Sequence, residues 1–296
     1  MAFTLSDTLQ ALYKQLGQLN VSIATGGSAT TVIDTKQIGL HRDNSWKDGA
    51  VFIIRDAAGA SASPEGKFER VSAYVNSTGT FTFATLTDAI ASGDTFGFVS
   101  SYYPIYQMIQ SVNDGLRSLG DMEFNDTTTL DTIDGDTEYS AAIAWKRTRP
   151  PKFWIQGRTG DAADNQWQEV TDYQWEPAIA GSAGRLILNF YPIGSRDVKV
   201  RYKDKHGVVN AYNDPIDERI TPKLVVAAAM VEALQWQNSR VQGADSYLLQ
   251  LLNKSLQDLE NAKMEVPIER TKRSRQMFVT GSSERYYDPN SGSYRV

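Results

Sequence analysis

The sequence predicts an α+β chain: a helical hairpin or bundle plus an antiparallel β unit, preceded by a small N-terminal β-sandwich or barrel domain. Three observations lead there. Apolar residues recur at three- and four-residue steps in four separate segments, which places each set on one face of a helix. Two other segments, 21–99 and 139–202, are built of short β-prone runs separated by turn residues. The last thirty positions are rich in Ser, Gly and charge and carry no sustained period.

The first helix is marked by Leu5, Leu9, Leu12, Tyr13, Leu16 and Leu19, with Thr4 or Ser6 able to cap it and Asn20 at its end. Strand signals follow at 30–33, 51–54, 72–75, 80–83 and 95–99, and Asn76-Ser77-Thr78-Gly79 is a hairpin loop. This run, 21–103, is expected to fold as an autonomous β domain. The second helix opens at Pro104, taken as its first position, and carries Ile105, Met108, Ile109, Val112, Leu116 and Leu119 before Gly120 caps it. Residues 121–150 begin as a Thr/Asp-rich loop and then give a strand over 139–145; further strands are predicted at 152–155, 167–170, 185–190 and 198–202. A helix over 221–239, with Pro222 in its first turn and Ala227-Ala228-Ala229 open to close approach, pairs with a helix over 245–264 capped by Asp245. Leu248, Leu252, Leu256 and Leu259 of the latter are expected in the core. The predicted organisation is therefore 1–20, an N-terminal helix; 21–103, a β domain; 104–266, an α+β domain with the hairpin 221–264; and 267–296, an extended tail.

Composition narrows the chemistry. The 296 residues include no cysteine and two histidines, so thiol catalysis and thiolate metal sites are impossible and His-based sites have little material. A formal charge of −5, from 30 Lys and Arg against 35 Asp and Glu, gives no general basis for binding nucleic acid. The longest apolar stretch, 224–234, is too short to span a bilayer and contains Glu232, and residues 1–20 lack the layout of a secretory signal. Asp131 to Asp136 holds carboxylates around Gly135 but not the spacing of a calcium loop, and a turn accounts for it better. Trp145, Trp154, Trp167 and Trp175 could stack on sugars beside a carboxylate pair, but strand tryptophans more often line sheet faces. His41 and His206 sit among charged neighbours, as solvated loop residues do. No catalytic, cofactor or metal residue is predicted.

The tail holds the one constellation with binding character. Arg270, Lys272, Arg273 and Arg275 place four cations in six positions, either as contacts for phosphate or an acidic surface or as a solvated run. Phe278, Tyr286, Tyr287 and Tyr294 follow as candidate anchors for a partner.

The stretch from Tyr106-Gln107-Met108-Ile109 to Leu119-Gly120, then Thr129-Leu130, Glu138-Tyr139, the Trp-rich strands, Val200-Arg201-Tyr202, Asp214-Pro215-Ile216-Asp217 and the Ala-rich helix, resembles tailed-bacteriophage head–tail connector proteins of the adaptor or neck type. The resemblance covers 104–296. It implies a structural virion protein, not an enzyme, made in the host cytoplasm and placed at the head–tail junction. It implies a homo-oligomeric ring, twelve-fold as in the resembled family, with the portal protein and downstream neck or tail proteins as partners and a passing contact with packaged DNA. It also implies that the C-terminal segment engages the portal, which gives the cations and aromatics of the tail their role. The β unit 21–100 departs from the minimal family and looks like an added decoration domain. The alternative reading is a carbohydrate- or receptor-binding tail or baseplate protein that uses this N-terminal domain; a glycan-degrading enzyme is the third.

Overall fold

A computed structural model describes residues 3–59, 63–132, 136–141, 151–156, 167–176, 184–192, 196–241, 245–265, 286–288 and 293–295. The chain is mixed α+β, with four α-helices and antiparallel sheets among these residues.

The helices are α1 (Leu5–Gln15), α2 (Ile105–Ser118), α3 (Pro222–Arg240) and α4 (Ser246–Glu265). All four contribute to one apolar core, in which Leu9, Leu12, Met108, Val112, Val225 and Leu234 are fully buried. Burying one such side chain stabilises the fold by about 1.5–3 kcal/mol. Thr4 caps α1 in a reciprocal box: its hydroxyl accepts from the Asp7 N–H at 3.3 Å, and its own N–H donates to the Asp7 carboxylate at 3.0 Å. Asp245 caps α4 through the N–H groups of Tyr247 and Leu248. Pro222 occupies the first turn of α3, as predicted, whereas Pro104 stands at the N-cap of α2, one position before the helix. Helix α1 ends at Gln15, and Asn20 instead opens a strand.

The first β module lies in the chain between α1 and α2. Its strands are β1 (Asn20–Ile23), β2 (Gly26–Gly27), β3 (Thr31–Ile33), β4 (Ala50–Arg55), β5 (Phe68–Val75), β6 (Thr80–Phe83) and β7 (Thr95–Val99). They pair in the order β1-β7-β4-β5-β6-β3-β2, every neighbour antiparallel. The two ends of that order, β1 and β2, are separated only by Ala24 and Thr25, so one continuous stretch of chain bonds to β7 at its start and to β3 at its end. This module encloses its own core of Val32, Val51, Ile53, Tyr74, Phe81, Phe96 and neighbours. Strand β4 serves two cores. Val51 and Ile53 face that interior, while Ala50 and Phe52 belong to the helical core, where the Phe52 ring meets Tyr13 edge-on at 5.6 Å. An uninterrupted apolar run is what a strand buried on both faces requires.

The second module lies between α2 and α3. It leaves on β8 (Met122–Thr132) and returns on β14 (Arg196–Asp204), which pair from Met122↔Asp204 to Thr132↔Arg196. Strand β8 replaces the predicted Thr/Asp-rich loop. Beyond it come β9 (Glu138–Ala141), β10 (Lys152–Gln156), β11 (Trp167–Val170), β12 (Tyr173–Glu176) and β13 (Gly184–Leu188). They form two sheets, β11-β10-β14-β8 and β12-β13-β9, whose facing residues Phe153, Leu186, Leu188, Val198 and Val200 share a third core.

Two contacts set the bundle. Gly115 of α2 lies against the backbone of Ala228 and Ala229 in α3: a Cβ there would stand 2.7 Å from the Ala229 nitrogen. The alanine run and the glycine, read separately in the sequence, are the two sides of one helix crossing. Helix α4 lies along α3 and buries Leu248, Ser255, Leu259 and Ala262, a single narrow stripe. Leu252 is half-buried and packs against the same core, whereas Leu256 is 40% exposed, contrary to the expectation that it sits there. A helix packed mainly on one partner has room for one stripe, and this sequence supplies leucines on both sides of it.

Candidate partner-binding surface

The segment 205–220 ties the helices together where the second module rejoins them. Its Val209 is buried and exchanges two hydrogen bonds with the side chain of Asn113 on α2, each 2.9 Å. Further on, the carbonyls of Tyr212 and Asp214 accept from the N–H groups of Ser6 and Leu5 at the start of α1, which otherwise lack intrahelical partners.

His206 belongs to this strap and has a structural role. Its Nε2 accepts from the Asp217 N–H at 3.0 Å, which leaves Nδ1 as the donor to the Gly207 carbonyl at 2.7 Å. Asp217 in turn holds the Arg219 guanidinium, which stacks on Phe124 and bonds the Glu123 carbonyl. These bonds to Arg219 hold the Asp217 carboxyl below the usual carboxylate range despite its partial burial. A lowered folded-state pKa contributes stability above the ordinary aspartate pKa and loses it as pH falls through the folded value. Asp217→Asn should therefore reduce the stability lost on acidification through that range, read from urea midpoints at neutral and acidic pH. An acid limb identical to the parent's would show that the pair does not couple to folding.

The tryptophans take the sheet-face role. Lys199 lies over Trp167 at 5.5 Å, Arg201 over Trp154 at 5.6 Å, and Trp175 packs near Phe153; Trp145 falls outside the described residues. His41 meets Trp46 edge-on. Of the Asp131–Asp136 segment, positions 133–135 fall outside the described residues. Among the described residues no group of three or more His, Asp or Glu side chains stands together as a metal site, and no helix is long and apolar enough to cross a membrane.

The predicted tail residues divide. Arg270, Lys272, Arg273, Arg275 and Phe278 lie outside the described residues. Tyr286 and Tyr287 lie on β15 (Tyr286–Asp288) and Tyr294 on β16 (Ser293–Arg295), which pair antiparallel with Tyr287 opposite Tyr294. The tail thus contains a strand pair that its composition did not announce.

What the sequence reading missed is the outer surface of α4. The outer side of α4 leaves Tyr247 and Met264 more than two-thirds exposed, with Leu249 and Leu256 also in water. Beside it, a groove of about 430 Å³ runs between α1, α3 and α4, lined by Met230, Leu251, Lys254, Asp258 and, at its end, Lys223 bonded to Glu265 at 2.5 Å. Glu265, the last residue of α4, stands at the rim of this groove. Leu249 and Leu256, seven residues apart and beside the 248/259 stripe, were the available signal.

No protein-family model matches the chain, and a search of curated proteins returns no match.

Proposed function

We propose that this chain is a structural virion protein of a tailed phage: a head–tail adaptor or neck component whose copies close into a ring beneath the portal and dock onto it through the C-terminal tail. The observation that carries this reading is the order of the elements. One helical core is interrupted twice by β modules, and a basic, aromatic-bearing tail follows α4, whose outer face keeps apolar side chains in water. Within the proposal, α3 and α4 form an antiparallel helical hairpin, which fits the bond between Lys223 and Glu265. Residues 21–103 form a β-sandwich or barrel domain that decorates the ring. A head-to-tail contact that closes on itself makes such a ring, and a tail that orders on binding can fasten it to the next one.

Exposed ion pairs contribute about 0–1 kcal/mol each, whereas buried aromatic anchors exceed about 2 kcal/mol. Deleting 276–296 should therefore abolish co-sedimentation with the portal, while neutralising Arg270, Lys272, Arg273 and Arg275 only weakens it. The melting temperature of the truncated chain should match the parent's. Light scattering and negative-stain imaging test the ring directly. A chain that stays monomeric and is not retained by the portal overturns the reading, and a truncated chain that still co-sediments fully removes the tail from it.

A further inference from the structure

The second β module carries a cleft that neither its own packing nor the assembly reading employs. It lies between the end of β11, with the turn Thr171-Asp172, and the segment that follows β13. Its volume is about 350 Å³, at the lower end of the range for small-molecule sites. Ile155, Val170 and Pro192 supply apolar lining.

The remaining lining combines two chemistries. Phe190 and Tyr191 are consecutive aromatics, 39% and 79% exposed. Folding gains little from a tyrosine left so far in water, so its ring is available as a platform. Gln168, Glu169 and Asp172 bring hydrogen-bonding groups to the same cleft, and Arg196 brings a guanidinium.

The two sides are pinned to each other without a ligand. Asn189 donates from its side chain to the Asp172 carboxylate at 2.5 Å and from its backbone N–H to the Asp172 carbonyl at 3.3 Å. A preformed cleft avoids the cost of ordering its walls on binding.

The charges discriminate among ligand classes. Glu169 is bonded to Lys152 at 3.3 Å, so its charge and that of Asp172 are balanced by Lys152 and Arg196, and the cleft offers no net attraction to a phosphate, a nucleotide or a cation. Polar lining of this density is unsuited to a lipid tail. A ring with one apolar face and an edge of hydroxyls satisfies both chemistries at once. We propose that this cleft binds a neutral saccharide, one sugar ring stacking on Tyr191 while its hydroxyls bond to Gln168 and Asp172.

The experiment uses the full chain and ligand-observed saturation-transfer NMR, which reads binding whether the protein is monomer or ring. The probes are glucose, galactose, mannose, N-acetylglucosamine and their disaccharides, with glucose 6-phosphate and inorganic phosphate as charged comparisons. At least one neutral sugar should bind, and the phosphorylated sugar should bind more weakly. Tyr191→Ala should weaken binding by about tenfold or more, equivalent to about 1.4 kcal/mol, with an unchanged melting temperature because the ring is exposed. Tyr191→Phe, which keeps the stacking face, should retain binding. Gln168→Ala, at an exposed position, should also weaken it. No response to any neutral sugar overturns the proposal. So does binding that survives Tyr191→Ala undiminished, which would move the site elsewhere on the chain, or a preference for the charged probes.

Discussion

Gly115→Val is expected to destabilise the protein by about 3 kcal/mol, with Gly115→Ala costing about 1–2 kcal/mol. The reason is the α2–α3 crossing. A Cβ at position 115 would meet the Ala229 nitrogen at 2.7 Å, the Ala228 carbonyl carbon at 2.9 Å and the Ala229 Cα at 3.0 Å. All three are backbone atoms of a helix, so no side chain can swing away, and the helices themselves must part. Parting them loosens Val112, Leu116 and Val225, which are buried in the same core. Alanine is favoured over glycine in a helix interior by up to about 1 kcal/mol, which opposes the clash without cancelling it. Gly207→Ala is the control, because a Cβ there meets nothing within 4 Å, and it should change stability by less than about 0.5 kcal/mol. Urea midpoints of the three variants decide the matter. If Gly115→Ala were as stable as the parent, the helices would not touch at this point.

The contact behind that prediction shows what the sequence could convey. Gly115 and the alanine run were each visible, and each pointed to close approach, but nothing local says that they meet. The same holds for strands. The turn at 76–79 and the alternating runs beside it were legible because a hairpin is a local object. Strand β8 was not: its Thr- and Asp-rich segment 126–132 has few apolar residues, and its strand character comes from pairing along its length with β14, more than sixty residues later. Strand β1 was hidden for a similar reason, since its partner β7 lies more than seventy residues later, whereas β2 is two glycines that carry no strand propensity of their own.

Burial on α4 was ambiguous at the sequence level. Leucines at 248, 249, 251, 252, 256 and 259 spread over nearly half the circumference, and only the position of α3 selects 248 and 259 for full burial. The proposed sugar cleft was out of reach for a plainer reason. Its lining comes from 155, 168–172, 190–192 and 196, positions that only the folded second module brings together.

Asn113→Ala is expected to cost about 3 kcal/mol, because it orphans two buried backbone groups at a cost of about 1–3 kcal/mol each. Asn113 is 4% exposed. Its Oδ1 accepts from the Val209 N–H, and its Nδ2 donates to the Val209 carbonyl and to the Ile109 carbonyl one turn back. A side-chain amide reproduces here the two-way exchange of an antiparallel strand pair, and among side chains only Asn and Gln carry that donor–acceptor pair on one planar group. Asn113→Asp keeps the acceptor but removes the donor and places a charge in the core, so it should be no milder than alanine. The effect should also travel along the strap. Val209 leads into Tyr212 and Asp214, whose carbonyls hold the first N–H groups of α1 at 3.1 and 3.0 Å. When the strap loosens at 209, the amides of Ser6 and Leu5 lose their partners as well, and their hydrogen exchange should accelerate together with that of Val209. Exchange at Leu12 and Tyr13, bonded within α1, should follow only the drop in global stability. If Val209 alone accelerated, the strap would be held at α1 by contacts independent of Asn113, and the start of that helix would not depend on the amide clamp ninety-six residues away from its partner in sequence.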